Sequence, residues 1–207
     1  MNHSKEHCLF FLKNTELLEK SDEVVEAVQV ALFKAINARI EKRIKGLGGW
    51  KGIYTLVSGP ATKNDETETA FAPAAWPENK DGSYRVSYDL GETDSDKNDY
   101  WLSSALGVNK TELCFYLWLS TEHGLSKGDA ARQTLVLSTG NAEVKAAGFK
   151  RNEDGTLFLP FSFNVEKVTA EYPAFDKCLA PLDEALDKLL KAHPHIDGLV
   201  RGLFKMK

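Results

Sequence analysis

The sequence predicts one α+β domain over residues 1–207, with a mixed or mostly antiparallel sheet of about four to five strands packed against a long N-terminal helix and C-terminal helices. Three observations support this fold class. An apolar stripe of helical period runs from Val24 to Ile44, segments with strand-like alternation fill the middle of the chain, and a leucine-rich helical stripe follows Leu179. A chain of this length can bury a substantial core, and residues 1–20 could form a loosely attached helical arm.

A long helix is expected from Asp22 onward. Ser21 offers a capping hydroxyl, and Asp22 and Glu23 stand where the helix dipole is positive. Apolar residues then recur with helical spacing, at Val24, Val28, Leu32, Ile36, Ile40 and Ile44. Glycines from Gly46 onward end the helix, and a shorter helical piece is expected at residues 8–18.

The strands expected before residue 100 differ in their predicted position in the sheet and exposure to solvent. Residues 53–57 predict a strand, and residues 69–76, broken by Pro73, predict at best an edge strand, because proline cannot donate to a sheet ladder. Apolar and polar residues alternate over residues 84–90, which predicts a half-exposed strand. The polar segments between these strands are expected to be loops, at residues 59–68 and 91–99.

Residues 111–120 are apolar or aromatic on both faces of an extended chain. Phe115 and Trp118 fall on opposite faces, because strand side chains alternate. A strand of this kind belongs in the middle of a sheet. We therefore expect the long helix to cover one face and the C-terminal helices or a loop to cover the other.

The C-terminal half continues with helices and one further strand. Ser126 predicts the N-terminal cap of a helix that runs through Leu137, and helical structure is expected again at residues 141–147. A turn at residues 152–155 leads into a strand at residues 157–163, in which Pro160 indicates an edge strand. The tail is expected to be helical and to be interrupted by Pro194. Its apolar stripe comprises Leu179, Leu182, Leu186, Leu189 and Leu190.

The charge distribution is uneven along the first half of the chain. The net charge of −4 makes nucleic acid a poor default ligand. Residues 34–51 carry six basic residues and one acid (6 − 1 = +5), whereas residues 64–99 carry three basic residues and ten acids (3 − 10 = −7). The basic cluster can complement a helix C-terminus, or one of the two regions can meet a charged partner.

Motifs that would assign a catalytic or metal site are weak. The three cysteines are widely spaced, and there is no P-loop, nucleophile elbow or kinase motif. Glu122 and His123 end the central strand and could supply an acid and a base, but adjacent strand residues point to opposite faces. His3, His7 and Cys8, with His193 and His195 far away in the sequence, could in principle gather a transition metal, but no acidic base lies between the two N-terminal histidines as in a metalloprotease helix. The start of the chain lacks a secretory signal, and no run of 18 apolar residues occurs, so we expect a cytoplasmic protein.

One alternative is a metal-dependent hydrolase. The order of a long helix, three strands, a helix and a strand resembles in outline the core of PD-(D/E)xK nucleases, and Glu143 and Lys145 have the matching spacing. The resemblance implies a Mg²⁺-dependent nuclease or a degenerate form of such an enzyme. The sequence departs from the pattern because Glu143 falls in a predicted helix and the segment Glu112-Leu-Cys114 lacks the lysine.

The favoured hypothesis is a non-enzymatic intracellular protein that binds or regulates a protein partner, for which the charge layout favours a basic protein. Acidic loops could inhibit a nucleic-acid-binding protein by presenting carboxylates where phosphates would lie. The predicted partner-binding residues are Glu92, Asp94, Asp96, Asp99, Tyr100 and Trp101. No catalytic residue, metal ligand or cofactor is assigned, and neither a membrane nor nucleic acid is expected as a direct ligand. A third possibility is an architectural homodimer built on the long helix.

Overall fold

The computed structural model describes residues 9, 12–15, 19–55, 68–80, 82–94, 100–120 and 126–205. The helical piece expected at residues 8–18 is helical at Leu9, Leu12, Lys13 and Thr15. Several expectations concern residues outside the described ones, namely His3, His7, most of the 59–68 loop, Asp96, Asp99, Glu122 and His123.

The described residues contain six α-helices and six strands, which confirms the predicted α+β class. The helices are α1 (Ser21–Lys45), α2 (Trp101–Ala105), α3 (Lys127–Gly140), α4 (Ala142–Ala146), α5 (Val165–Glu171) and α6 (Ala180–Phe204). The strands are β1 (Trp50–Thr55), β2 (Glu68–Pro73), β3 (Val86–Glu92), β4 (Leu113–Leu119), β5 (Lys150–Arg151) and β6 (Leu157–Phe161).

The strands form one sheet in the order β1-β2-β3-β4-β6-β5, and every pairing is antiparallel. The predicted central strand is confirmed, because β4 pairs with β3 on one side and β6 on the other. The prediction that residues 69–76 form an edge strand is wrong. Pro73 is the last residue of β2, so it leaves β2 free to pair with β1 along its length and with β3 at Ala70 and Phe71. Pro160 lies beyond the end of the two-residue strand β5, where the outer side of β6 needs no donor.

Both long helices pack on the same face of the sheet. Phe115, which is fully buried, meets Phe71 at a ring-centroid distance of 5.5 Å. On this face β2 is linked to α1 by a hydrogen bond between Thr69 and Asn37, and β3 is linked to α6 by contact between Tyr88 and His193. The side chains of both helices join one hydrophobic core with these aromatic rings.

The opposite face of β4 is not covered as predicted. Trp118 is 43% exposed and Tyr116 is half-buried, whereas Cys114 on the same face is buried. The C-terminal helix lies on the same face as α1, so the expectation that the two long helices cover opposite faces of β4 is wrong, whereas the alternative of a covering loop stays a prediction. Tyr116 and Trp118 would give the same sequence pattern whether they lie along the surface of the sheet or beneath another layer. The sequence therefore could not distinguish the two cases.

The C-terminal helix α6 runs without interruption through Pro194, contrary to expectation. Proline removes one backbone hydrogen bond from a helix interior. Buried residues on both sides of it, including Ala192, Ile196 and Val200, hold the helix against the core. The burial of this apolar stripe offsets the local loss.

The first turns of α1 lie away from the core. The helix begins at Ser21, and the cap residue Lys20 makes no side-chain capping hydrogen bond, which differs from the predicted Ser21 cap. The buried residues of α1 begin at Leu32, whereas Val24 is 52% exposed. Asp22 and Glu23 in the first turn are exposed. Among the described residues, no helix has the length and apolar composition needed to cross a membrane.

Candidate functional site: an acidic surface on the first helix

Two acidic segments that are distant in sequence are joined at the start of α1. The Tyr100 hydroxyl donates a 2.6 Å hydrogen bond to Asp22 Oδ1. The backbone N–H of Leu102 donates to the Gln29 side-chain oxygen at 2.9 Å. These two bonds attach the segment that follows β3 to the exposed turns of α1.

An aromatic contact completes this attachment. The Trp101 ring meets Phe33 edge-on, with centroids 5.4 Å apart and an interplanar angle of 76°. Such edge-to-face pairs add about 0.5–1.5 kcal/mol beyond the burial of their area. The short helix α2 is therefore fixed on α1 by a buried aromatic ring as well as by polar bonds.

We define the acidic surface as Glu19, Asp22, Glu23 and Glu26 of the α1 start together with Asp94. Residues 19–29 carry four acids and one lysine (1 − 4 = −3), and residues 92–99 carry four acids and one lysine (1 − 4 = −3). Asp99 directly precedes Tyr100 in the chain, so the second acidic segment ends where it meets the first.

The structure gives the predicted partner-binding residues different positions. Glu92 is used within the fold, because Ser104 donates a hydrogen bond to its carboxylate and the Tyr116 hydroxyl donates to its backbone oxygen. Tyr100 and Trp101 hold the two acidic segments together. Asp94 is half-buried at the end of β3, and Asp96 and Asp99 lie outside the described residues. The structure places Tyr100 and Trp101 against α1 and Glu92 beside Ser104 of α2, and it does not test whether any of the predicted residues bind a partner.

Sequence reasoning missed the contribution of α1 to this surface. Asp22 and Glu23 were explained as acids that complement the helix dipole, and Glu26 was not considered. The available signal was that Val24, although part of the apolar stripe, is surrounded by acids and precedes the buried part of the helix. An apolar position among charges can mark a helix face that has no core beneath it.

The basic cluster at the other end of α1 is paired within the molecule. Arg39 lies 3.2 Å from Asp176 and 3.2 Å from Asp183, and Arg43 pairs with Asp187 on α6. These residues border a groove of about 340 Å³ lined by Arg39, Lys42, Arg43, Gly46, Leu47 and Asp183. Because acids of α6 and the turn before it pair with Arg39 and Arg43, these two basic residues serve helix–helix packing.

A second polar cluster, missed from the sequence, lies between the sheet and α6. Trp76 Nε1 donates a 2.8 Å hydrogen bond to Asp197, which also accepts from Arg201 at 2.7 Å. The Tyr88 hydroxyl lies 3.0 Å from His193 Nδ1. The helical spacing of His193, Asp197 and Arg201 was the available signal, since residues four apart share a helix face. The partners of these residues on the sheet could not be read from that spacing.

Residues of the nuclease alternative are not arranged as that chemistry requires. Glu143 lies on α4, as the sequence predicted, and its carboxylate is 3.4 Å from Lys191 Nζ. Lys145 is exposed on the same short helix. In the part of the chain that the structure describes, no three His, Cys, Asp or Glu side chains are grouped so that they could hold a metal ion.

The described cysteines are buried thiols. Burial raises the pKa of Cys114 to about 12 and that of Cys178 to about 11, since a thiolate is poorly stabilised away from water. Hydrogen bonding with Glu171 adds to the effect at Cys178, whereas the Tyr116 hydroxyl opposes it at Cys114. A thiol nucleophile must reach the thiolate form near neutral pH, so neither cysteine is suited to nucleophilic catalysis.

Comparison of the chain with protein-family models, with curated proteins and with solved structures finds no match in any of the three.

Proposed function

We propose that this protein is a non-enzymatic intracellular binding module that recognises a basic protein partner through the acidic surface. The observation that carries the proposal is the hydrogen bond from Tyr100 to Asp22, which holds the residue that follows the acidic segment 92–99 against the acidic start of α1. A patch of one charge sign raises the encounter rate with an oppositely charged partner and disfavours partners of like charge.

The internal pairing of the basic cluster supports this choice of partner. Arg39 and Arg43 are paired with acids of α6 and its preceding turn, so the basic end of α1 offers little attraction to an acidic partner. The acids at the start of α1 are held by the helix without covering the core. Val24, 52% exposed among them, offers an apolar contact to a partner that has been attracted by charge.

The proposal extends to a regulatory role. A partner that binds nucleic acid carries a basic surface, and carboxylates that occupy it compete with phosphates. Such a complex should weaken as salt concentration rises, because exposed charges are screened over about 8 Å at physiological ionic strength. An inhibitor of a nucleic-acid-binding protein would act in this way.

The test compares two variants of equal charge. Glu19→Gln, Glu23→Gln and Glu26→Gln together neutralise three acids of the acidic surface while leaving the Asp22–Tyr100 bond in place. The matched control changes three exposed glutamates elsewhere, Glu153→Gln, Glu166→Gln and Glu184→Gln.

Each protein is used to capture partners from native cell extract at low and high salt. We expect the wild type and the control to retain the same basic proteins at low salt, and the acidic-surface variant to lose them. A further series should combine Asp94→Asn, Asp96→Asn and Asp99→Asn. Retention of an identical set of proteins by all variants, or a set without basic proteins, would overturn the proposal.

A further inference from the structure

His193 occupies a compartment built from several elements of the fold. Its ring centroid lies 4.7 Å from that of Trp50 on β1 and 5.5 Å from that of Trp76, which follows β2. Its Nδ1 atom lies 3.0 Å from the hydroxyl of Tyr88 on β3. Tyr88 and Trp76 are buried. His193 thus links α6 to β1, to β3 and to the segment that follows β2.

The charged neighbours of His193 come from α6 itself. Asp197 is one turn further along the helix, and Arg201 follows one turn after that. The Asp197 carboxylate already accepts hydrogen bonds from Trp76 and Arg201. It therefore offsets a positive charge on His193 only from a distance, while Arg201 repels such a charge.

The neutral imidazole fits this compartment better than the charged one. Burial and the charge of Asp197 raise the pKa of Tyr88 well above its ordinary value, so the phenol stays protonated and donates to a neutral Nδ1. Burial lowers the pKa of His193; Asp197 opposes this effect and Arg201 reinforces it. The tryptophan rings attract a cation, but they also exclude the water that a charged imidazole requires. Protonated Nδ1 becomes a donor, and the bond to Tyr88 has to reverse.

The helix is also locally weak at this position. Pro194 follows His193 and cannot donate a backbone hydrogen bond to the preceding turn. The helix therefore lacks one backbone hydrogen bond here, and side chains that include Ile196, Asp197 and Val200 hold the part beyond Pro194 against the core. Loss of the contact at His193 would act where the helix has fewer backbone bonds to resist it.

We propose that His193 is an acid-sensitive latch, and that its protonation loosens residues 195–204 of α6 from the sheet and lets water reach Trp50 and Trp76. This is a conformational device that is independent of the acidic surface. It would tie the packing of the C-terminal helix to mild acidification.

The first test follows backbone amide hydrogen exchange of the full chain between pH 7.5 and 4.5, corrected for the intrinsic pH dependence of exchange. We expect residues 195–204 to lose protection reversibly as pH falls, while the amides of β3 and β4 keep theirs. The midpoint should coincide with the titration of the His193 ring observed by NMR. Uniform protection of residues 195–204 across this range would overturn the proposal.

Two substitutions of neighbouring histidines distinguish the latch from general acid sensitivity. His193→Gln keeps an acceptor for Tyr88 without a titrating group, and we expect it to abolish the transition. His195→Gln is the matched control, because His195 is exposed and contacts Asn141 instead of the sheet. It should keep the wild-type transition. The same transition in both variants would show that His193 is not the latch.

A third variant covers the case in which His193→Gln does not fold. Tyr88→Phe removes the donor that favours the neutral imidazole, and we expect the midpoint of the transition to move to higher pH. The change is followed by tryptophan emission in a background with Trp101→Phe and Trp118→Phe, so that Trp50 and Trp76 report it. A midpoint unchanged by Tyr88→Phe would contradict the assigned role of this bond.

Discussion

Thr69 on β2 donates a 2.5 Å hydrogen bond to the side-chain oxygen of Asn37 on α1, and both residues are buried. The pair lies among apolar side chains of the core, where an unmatched polar group would be costly. The hydrogen bond therefore satisfies both polar side chains and also fixes the position of α1 along β2. A helix held only by apolar contacts could slide along the sheet at a smaller cost.

We expect Thr69→Val to destabilise the protein by about 1–3 kcal/mol, because the Asn37 side chain stays buried and loses its partner. The double variant Thr69→Val with Asn37→Leu should recover part of this loss, since it removes both polar groups. Urea denaturation measures the free energy of unfolding of each variant. Thr139→Val, at an exposed position of α3, should change stability by no more than about 0.5 kcal/mol. Strictly additive single and double variants would show that the two residues are not coupled.

The two faces of β4 predict two different responses to truncation. Phe115→Ala removes a fully buried ring that contacts Phe71 and Phe161, and we expect a loss of about 3–5 kcal/mol. Trp118→Ala removes a ring that is 43% exposed, so its cost in unfolding free energy should be at most about half as large. Equal costs measured by urea denaturation would mean that Trp118 is covered in solution.

Periodic sequence patterns predicted most of the fold. The buried part of the stripe from Leu32 to Ile44 predicted α1. Alternation in residues 84–90 and the apolar and aromatic run at residues 111–120 placed β3 and β4 within one or two residues. Ser126 was correctly identified as a cap, since its hydroxyl accepts from the Asp129 N–H at 3.0 Å. These patterns are local, and local periodicity is what a sequence states most directly.

The errors have a common physical origin in contacts between distant segments. Pro194 and Pro73 were expected to break or expose their elements, but long-range packing decided both outcomes. Trp118 and Phe115 look alike in the sequence, although only one is under the helices. The acidic surface depends on Tyr100 meeting Asp22, a pairing across 78 positions that no spacing rule predicts.

Two glycines give opposite expectations for substitution by alanine. Gly155 has φ +96°, and a Cβ there would lie 2.7 Å from the Cα of Ala131, so Gly155→Ala should destabilise by about 2–4 kcal/mol. Gly198 lies inside α6 with nothing within 4 Å of the added Cβ. Gly198→Ala should therefore stabilise by about 0.5–1 kcal/mol through helix propensity. Thermal and urea unfolding give both values, and the same sign for both substitutions would contradict the described turn geometry.

The Asp197 carboxylate makes a contribution to the free energy of unfolding that is lost as the pH falls. Burial raises the pKa of its carboxyl, but hydrogen bonds from Arg201 and Trp76, together with the charges of Arg201 and His193, outweigh burial and bring the pKa below its ordinary value of about 3.8. The unfolded chain therefore binds this proton at higher pH than the folded chain does. The stability contributed by the carboxylate is fully present above about pH 5 and is lost as pH falls through the folded-state pKa.

The Asp197→Asn variant isolates this contribution, because the amide still accepts from Trp76 but carries no charge. We expect the wild type to be more stable than the variant at neutral pH, and the gap in unfolding free energy to narrow as the pH falls below about 4. Urea denaturation at a series of pH values measures this difference in unfolding free energy between the two proteins. The effects of the other titrating groups largely cancel in the difference. Asp187→Asn is the control, because its ion pair with Arg43 is more exposed and should contribute no more than about 1 kcal/mol. A gap that stays constant or widens below pH 4 would mean that the Asp197 carboxylate is not stabilised in the folded protein.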